Sequence, residues 1–359
     1  MRMRLDIVPR GEVSSIARIL SPIGAVIVAI LIGGLIVAAL GKSPLQALFV
    51  YFIDPLSESW TIQELAVKGT PLILIASGLI YCFRSNVWNI GAEGQYTIGA
   101  IFGSVLPIVF HDSNAGYWVL FASLFLGMLG GLLYALIPAF LRVSYGVSEI
   151  LTSLMLVYIA QLGLDYLVRG PWRDPKGFNF PQSVPFDVTA TLPNLVEEGR
   201  LHAGIIIALL VVVLSFLILS RTIFGFGIRV AGEAPKAARF AGFNATALTI
   251  SAFSISGALA GLAGIVEVTG QIGQLQPSIS NNYGFTAITV AFLGRLHPLG
   301  VLFGAFIIAL TVLGGESAQI AMKLPLDLTT TFQGILLMCV LAADSLVTYR
   351  VSIRFGGRS

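Results

Sequence analysis

The chain is built from long apolar runs separated by short polar breaks. "ILSPIGAVIVAILIGGLIVAAL" (19–40), "AGYWVLFASLFLGMLGGLLYALIPAFL" (115–141), "AGIIIALLVVVLSFLILS" (203–220) and "ATALTISAFSISGALAGLAGIV" (245–266) carry no charged residue. A helix crosses a bilayer with roughly 20 such residues, and these runs show no polar face for a soluble core. The pattern predicts about ten spans, near 19–40, 65–84, 95–111, 115–141, 147–168, 203–220, 245–266, 284–295, 298–315 and 330–348. The segment 284–295 is too short to cross alone. It is either a half-helix or a continuation of 277–283. The expected fold class is therefore all-α, a polytopic integral membrane protein with one transmembrane domain over 1–359 and a broken or short helix within it.

Composition agrees. Hydrophobic residues make up 56% and charged residues 11%, against about 25% charged in a soluble domain. The net charge of +3 is too small to argue for a nucleic-acid partner. Its distribution matters more, because Lys and Arg mark cytoplasmic loops. Arg2, Arg4, Arg10 and Arg18 put segment 1–18 inside, as Arg350, Arg354 and Arg358 do for the tail 349–359. The basic loop 221–244 reads as internal. The mixed, Pro-rich loop 169–202 reads as external, as does the loop after the first span, with Glu64 and Lys68 among its charges. The first run is longer than a signal-peptide core and lacks a clean cleavage site, so it reads as a retained span. Cys82 and Cys339 lie in apolar runs and read as free thiols.

Helices in lipid gain nothing from burying Leu on Leu, so close packing needs small residues. Gly127 and Gly131, Gly257 and Gly261, and Gly300 and Gly304 stand at that spacing and are expected at helix crossings. The stretch "NVWNIGAEGQ" (86–95) is different: it puts two Asn, a Glu and a Gln between two spans. Either it is a cytoplasmic turn, which Arg84 supports, or it is a break in the membrane whose Asn86, Asn89, Glu93 and Gln95 line a solvated path. Its residues alone leave both open.

No phosphate-cradling G-x-x-x-x-G-K-[ST] occurs, and no G-x-S-x-G, H-E-x-x-H or cysteine cluster. The chain is not expected to be an enzyme or to hold a cofactor or metal. The ionisable residues Glu149, Asp165, Glu267 and Asp344 fall near predicted span ends, which weakens an ion-coupled secondary transporter or channel as the alternative.

Five segments together resemble a known family: "FRSNVWNIGAEGQYTIGA" (83–100), "GVSEILTSLMLVYIA" (146–160), "GEAPKAARFAGFN" (232–244), "SISGALAGLAG" (254–264) and "GFTAITVAFLGRLHPLG" (284–300). They are similar to permease subunits of bacterial ABC importers, in the branched-chain amino acid and simple-sugar permease family and nearest its nucleoside-uptake branch. The resemblance implies a type II importer: membrane-embedded permeases, here often two different related chains, with a cytoplasmic ABC ATPase and a periplasmic or lipoprotein substrate-binding protein. The solute would be a nucleoside or related small polar solute, with simple sugars as the near alternative. It also implies that 86–95 belongs to the helices around the path. Finally, it makes 232–242, a short helix that Glu233 and Pro235 would open and Gly242 would close, the element that couples to the ATPase. Glu233, Lys236 and Arg239 would then be its polar contacts, and Ala238 and Phe240 its packed face.

Overall fold

In the computed structural model the apolar runs fold as helices. Residues 3–9, 15–113, 115–196 and 199–355 are described, with side chains over 20–113, 115–196 and 199–347. Among the described residues eight helices are long and apolar enough to cross a membrane: α1 (Ser15–Ala39), α3 (Ser59–Arg84), α5 (Trp118–Tyr145), α6 (Glu149–Arg169), α7 (Gly204–Arg221), α10 (Ala245–Glu267), α12 (Pro298–Met322) and α13 (Asp327–Thr348). Two more of the expected spans are present as helices of other kinds. α4 (Ala92–Val109) is buried along most of its first half, and its Glu and Gln dilute its hydropathy. α11 (Tyr283–Leu293) has 11 residues, about 16 Å at 1.5 Å per residue, and so is a half-helix. It does not continue back into 277–283, because Asn282 is left-handed at φ 61° and starts it.

Three short helices fall outside the spans: α2 (Pro44–Phe52), α8 (Ile223–Glu233) and α9 (Pro235–Phe240). Each starts where local chemistry dictates. Ser43 and Thr222 cap α2 and α8 with their hydroxyls, and Pro44 and Pro235 occupy first-turn positions of α2 and α9, where their missing N–H is no loss. The expected single helix over 232–242 is in fact two. Pro235 forces the residue before it out of the helical region, and Ala234 sits at φ −143°, ψ 73°. Glu233 therefore ends α8 rather than opening the short helix.

The chain divides into two units. One comprises residues 1–58 and 310–359. In it β1 (Met3–Pro9) pairs antiparallel with β2 (Tyr349–Phe355), Met3 opposite Phe355 and Pro9 opposite Tyr349. Both segments alternate apolar and polar residues, the strand period; the expectation had treated them only as charged ends. α1, α2, the end of α12 and α13 supply the rest, with Tyr51 bonded through its hydroxyl to Thr329 (3.1 Å) and a small core of Val37, Val50, Tyr51, Ala318 and Met322.

The second unit, residues 59–309, is organised by glycine. A Cβ on Gly261 of α10 would land on the Gly127 carbonyl oxygen and lie 2.9 Å from Gly131 Cα, both on α5. A Cβ on Gly257 would strike Ala135 and the Gly131 carbonyl, and one on Gly99 of α4 would strike Gly261 itself. Three backbones thus meet at one crossing. Gly300 and Gly304 pack elsewhere, against Gly294 and Val290 of the α11–α12 hairpin. α3 is the buried centre, and it contains Glu64 and Lys68, which are not loop charges: α3 begins at Ser59. α10 runs on through a π-helical turn (Val268–Ile272), closed by left-handed Gly273. The loop 169–202 is strapped to that end, with Ser183, Phe186 and Leu192 N–H groups donating to the carbonyls of Leu275, Gly273 and Thr269 at 2.8–2.9 Å.

Candidate functional site

Between α3 and α4, residues 85–91 leave the helix. Unwound backbone in an apolar setting needs partners for its polar groups, and the structure supplies them for the N–H groups of residues 85–88, 90 and 91. Asn86, at φ 57°, and Val87 close the end of α3 on the Phe83 and Cys82 carbonyls. The Trp88 N–H donates to Glu149 Oε1 (3.2 Å), the Ile90 N–H to Ser153 Oγ (3.3 Å) and the Gly91 N–H to Asn89 Oδ1 (3.1 Å). Glu149 is itself held by Arg142. The first two turns of α6, through Glu149 and Ser153, thus carry the side chains that hold the break. Gly91 and Gly94 let the two backbones touch: a Cβ on Gly94 would lie 2.9 Å from Val157 Cα.

The four polar residues of the break divide into different roles. Asn86 is exposed. Asn89, with no exposed surface, and Gln95 form a reciprocal amide pair (2.9 and 3.0 Å), and Asn89 Nδ2 also donates to Ser256 Oγ of α10 (3.0 Å). These two residues clamp the break to α4 and α10 and do not line open space. Glu93 does. With Thr97 it forms one wall of a cavity of about 420 Å³, completed by Tyr158, Gln161, Leu162, Leu164 and Asp165 of α6 and by Pro277, Ile279 and Ser280. Glu93 Oε2 accepts the Gly284 N–H at the start of α11 (2.6 Å). Tyr96 is fully buried and donates its hydroxyl to the Ile279 carbonyl (2.9 Å), which fixes the loop that forms the far wall. Asp165 is paired with Arg169 one turn on (2.7 Å).

A second polar cluster was missed from sequence. Glu64 of α3 and Glu267 of α10 are buried, and Arg200 reaches Glu64 Oε1 at 3.5 Å. Gln271, with its amide nitrogen on Glu267 Oε1 (2.8 Å), accepts from Arg200 Nη2 (3.2 Å), and Lys68 acts on Glu267 electrostatically. The only available signal was Glu64 and Lys68 at i, i+4 spacing, which a loop assignment hides. Nearby, buried His202 accepts the Gly204 N–H at Nδ1 (3.2 Å), so its proton sits on Nε2. Burial pushes its pKa down to about 4. The unfolded chain would take up that proton near pH 6.5, so His202 disfavours the folded state increasingly as pH falls from 6.5 towards 4.

The expected coupling segment is on the surface. Glu233, Lys236 and Arg239 are exposed, and Gly242 is left-handed at φ 83°. Ala238 and Phe240 do not share a face: Ala238 is 3% exposed within the chain, whereas Phe240 is 95% exposed. Cys82 and Cys339 are free, and the described residues contain no cluster of metal-ligating groups.

Comparison with known proteins places this geometry. Residues 61–341 match the family described as "Branched-chain amino acid transport system / permease component". The glucose ABC transporter permease protein TsgB13 of Haloferax volcanii is 33% identical, covering 100% of this chain and 96% of its own. The nucleoside ABC transporter permease protein NupB of Lactococcus lactis is 28% identical, covering 83% and 84%. The guanosine ABC transporter permease protein NupP of Bacillus subtilis is 27% identical, covering 91% and 94%. No solved structure matches significantly. With its membrane-spanning helices, its buried break and no nucleotide-binding motif of its own, the chain belongs to this family of transport permeases: it is a permease subunit of an ABC importer, and ATP hydrolysis resides on a separate chain.

Proposed function

We propose that the cavity walled by Glu93, Thr97, Tyr158, Gln161 and Asp165 is part of the solute path, and that the solute is a nucleoside handed over by an external binding protein. The observation that carries this reading is the cavity itself. It carries polar side chains on both α4 and α6, lies between the first turns of α4 that follow the break and the 277–280 segment that leads into the half-helix α11, and is set among helices otherwise packed backbone to backbone, a setting of the kind transporters use where solute must pass. The nucleoside assignment draws on the relatives named for nucleosides and guanosine. A hexose is the second reading, favoured by the full-length similarity to the Haloferax glucose permease. Both solutes present a hydroxylated ring to the same wall. In vesicles holding the assembled transporter, labelled nucleoside uptake is expected to be competed by unlabelled nucleosides and not by ribose or branched-chain amino acids. Competition by glucose in place of nucleosides would move the assignment to the second reading.

In this proposal both ends and the 221–244 loop face the cytoplasm of a bacterial inner membrane and loop 169–202 faces outward, with lipid around α1 and α7. A second, related permease chain completes the path, and α9 meets the ATPase. Ala238 anchors α9 to its own chain, while Lys236, Arg239 and Phe240 are presented to the partner, with Glu233 beside them at the end of α8. Gly242 fixes the exit of α9. A Cβ at its positive φ costs about 1 kcal/mol, and Val adds β-branching. Gly242→Val is expected to leave membrane insertion normal while weakening retention of the ATPase in a detergent pull-down and abolishing uptake. Arg239→Glu should act more gently, since a rim charge is worth about 1 kcal/mol or less. ATPase retention and uptake unchanged in both variants would remove α9 from the coupling role.

A further inference from the structure

We propose that Glu93 makes the path reject anionic solutes, so that this permease passes the neutral, unphosphorylated form of a nucleoside or sugar and disfavours its phosphate ester. The inference rests on the reading of the cavity as part of the path. The N-terminus of a half-helix facing a cavity is ordinarily a place where an anion settles, because its first N–H groups are free and the helix dipole is positive there. In α11 that place is filled by the protein itself. The Tyr283 N–H donates to Ser280 Oγ (3.1 Å), and the Gly284 N–H to Glu93 Oε2 (2.6 Å).

The rest of the wall points the same way. The donors to Glu93 are neutral, the Gly284 N–H and the Ser280 hydroxyl. None of the described residues lining the cavity is Lys or Arg. Asp165, the second lining carboxylate, is balanced by Arg169. A phosphate entering this space would meet a carboxylate where a transporter of anions would offer it N–H groups. A neutral ring bearing hydroxyls would meet acceptors and donors at Glu93, Thr97, Gln161 and Ser280. Gly284 keeps the arrangement tight, since a Cβ there would lie within 2.8 Å of Glu93 Cβ. Glu93 is thus a specificity residue acting by charge, on top of whatever selection the binding protein exerts.

The test measures the sign of the field in the cavity without relying on the binding protein. Gln161 is exposed on the α6 wall. Gln161→Cys, in a Cys82→Ala, Cys339→Ala background of the assembled transporter, is treated with methanethiosulfonates bearing a cationic, an anionic or a neutral group. Each rate is divided by that reagent's rate with free 2-mercaptoethanol. The cationic reagent is expected to be about tenfold faster than the anionic one. Glu93→Gln, which preserves shape and hydrogen bonding, should bring the ratio close to one while leaving the neutral reagent's rate unchanged; Glu93→Asp should retain the preference. Equal cationic and anionic rates before any change at Glu93, or a ratio that Glu93→Gln leaves intact, overturns the charge filter and leaves the path reading standing. Failure of the neutral reagent to react at all overturns the path reading, and the filter with it.

Discussion

Gly261→Leu is expected to leave no folded protein that survives detergent extraction. Gly261 is the point where α4, α5 and α10 touch. A Cβ there meets the Gly127 carbonyl and the Gly131 backbone, and Gly99 approaches from the third side. Overpacking costs ~1–3 kcal/mol where side chains can rearrange. Here the colliding atoms belong to helix backbones, which move only as rigid bodies. The loss should therefore exceed that range and consume most of the ~5–15 kcal/mol by which a folded domain is stable. Gly261→Ala should already lower the melting temperature markedly, because its one methyl meets the same atoms. Gly24→Leu is the control: a Cβ at Gly24 in α1 meets nothing within 4 Å, and this variant should extract and melt like the parent. Thermal unfolding of the purified protein by size-exclusion chromatography reads all three. A stable Gly261→Leu protein would mean that the three helices do not cross here.

The second large effect concerns the clamp on the break. Asn89 makes four hydrogen bonds, two with Gln95, one to Ser256 and one from the Gly91 N–H. Asn89→Leu strands the Gln95 amide and the Gly91 N–H away from water, and each stranded group costs about 1–3 kcal/mol. A loss of ~3–5 kcal/mol is expected, with a fall in protein level as well as in uptake. Sequence reasoning alone, which treats Asn89 as a path residue, would expect uptake to fall at normal protein level; the buried pair reverses that part of the expectation. Gln95→Leu should be milder, because Asn89 keeps Ser256 and Gly91. The double variant should lose less than the sum of the two, as contacting residues do. Strict additivity in thermal melts would show that the pair does not form. Glu93→Gln, by contrast, is expected to fold normally, since the amide oxygen still accepts from Gly284. Comparing the two separates residues that build the break from the one that faces the cavity.

The difference between Asn89 and Glu93 marks where sequence stops being enough. Four polar residues within ten positions look alike along a chain. Only after α10 and α11 arrive does Asn89 meet Ser256, 167 residues away, or Glu93 meet Gly284, 191 residues away. The same holds for Glu64, which reads as a loop charge until α3 buries it within reach of Arg200, and for the glycines. Their small-xxx-small spacing announces close packing, but which backbones meet, and that Gly300 serves a hairpin while Gly261 serves a three-helix crossing, are facts of register. The π-turn after Glu267 left no signal to read, and the alternation at the two ends marks strands without saying that they pair with each other.

What the sequence determined by itself were the local matters. The spans follow from apolar runs whose backbone groups must satisfy one another within a helix. The left-handed Gly242 follows from the backbone freedom of a residue without a Cβ. The tertiary structure decided everything that depends on a partner distant in the chain: which polar side chains neutralise one another, which one is left facing a cavity, and that 283–293 is a half-helix ended by its own cap. The physical reason is the range of the interactions. Hydropathy and turn chemistry act over a few residues, whereas pairing a buried polar group requires a second surface, and the fold alone chooses that surface.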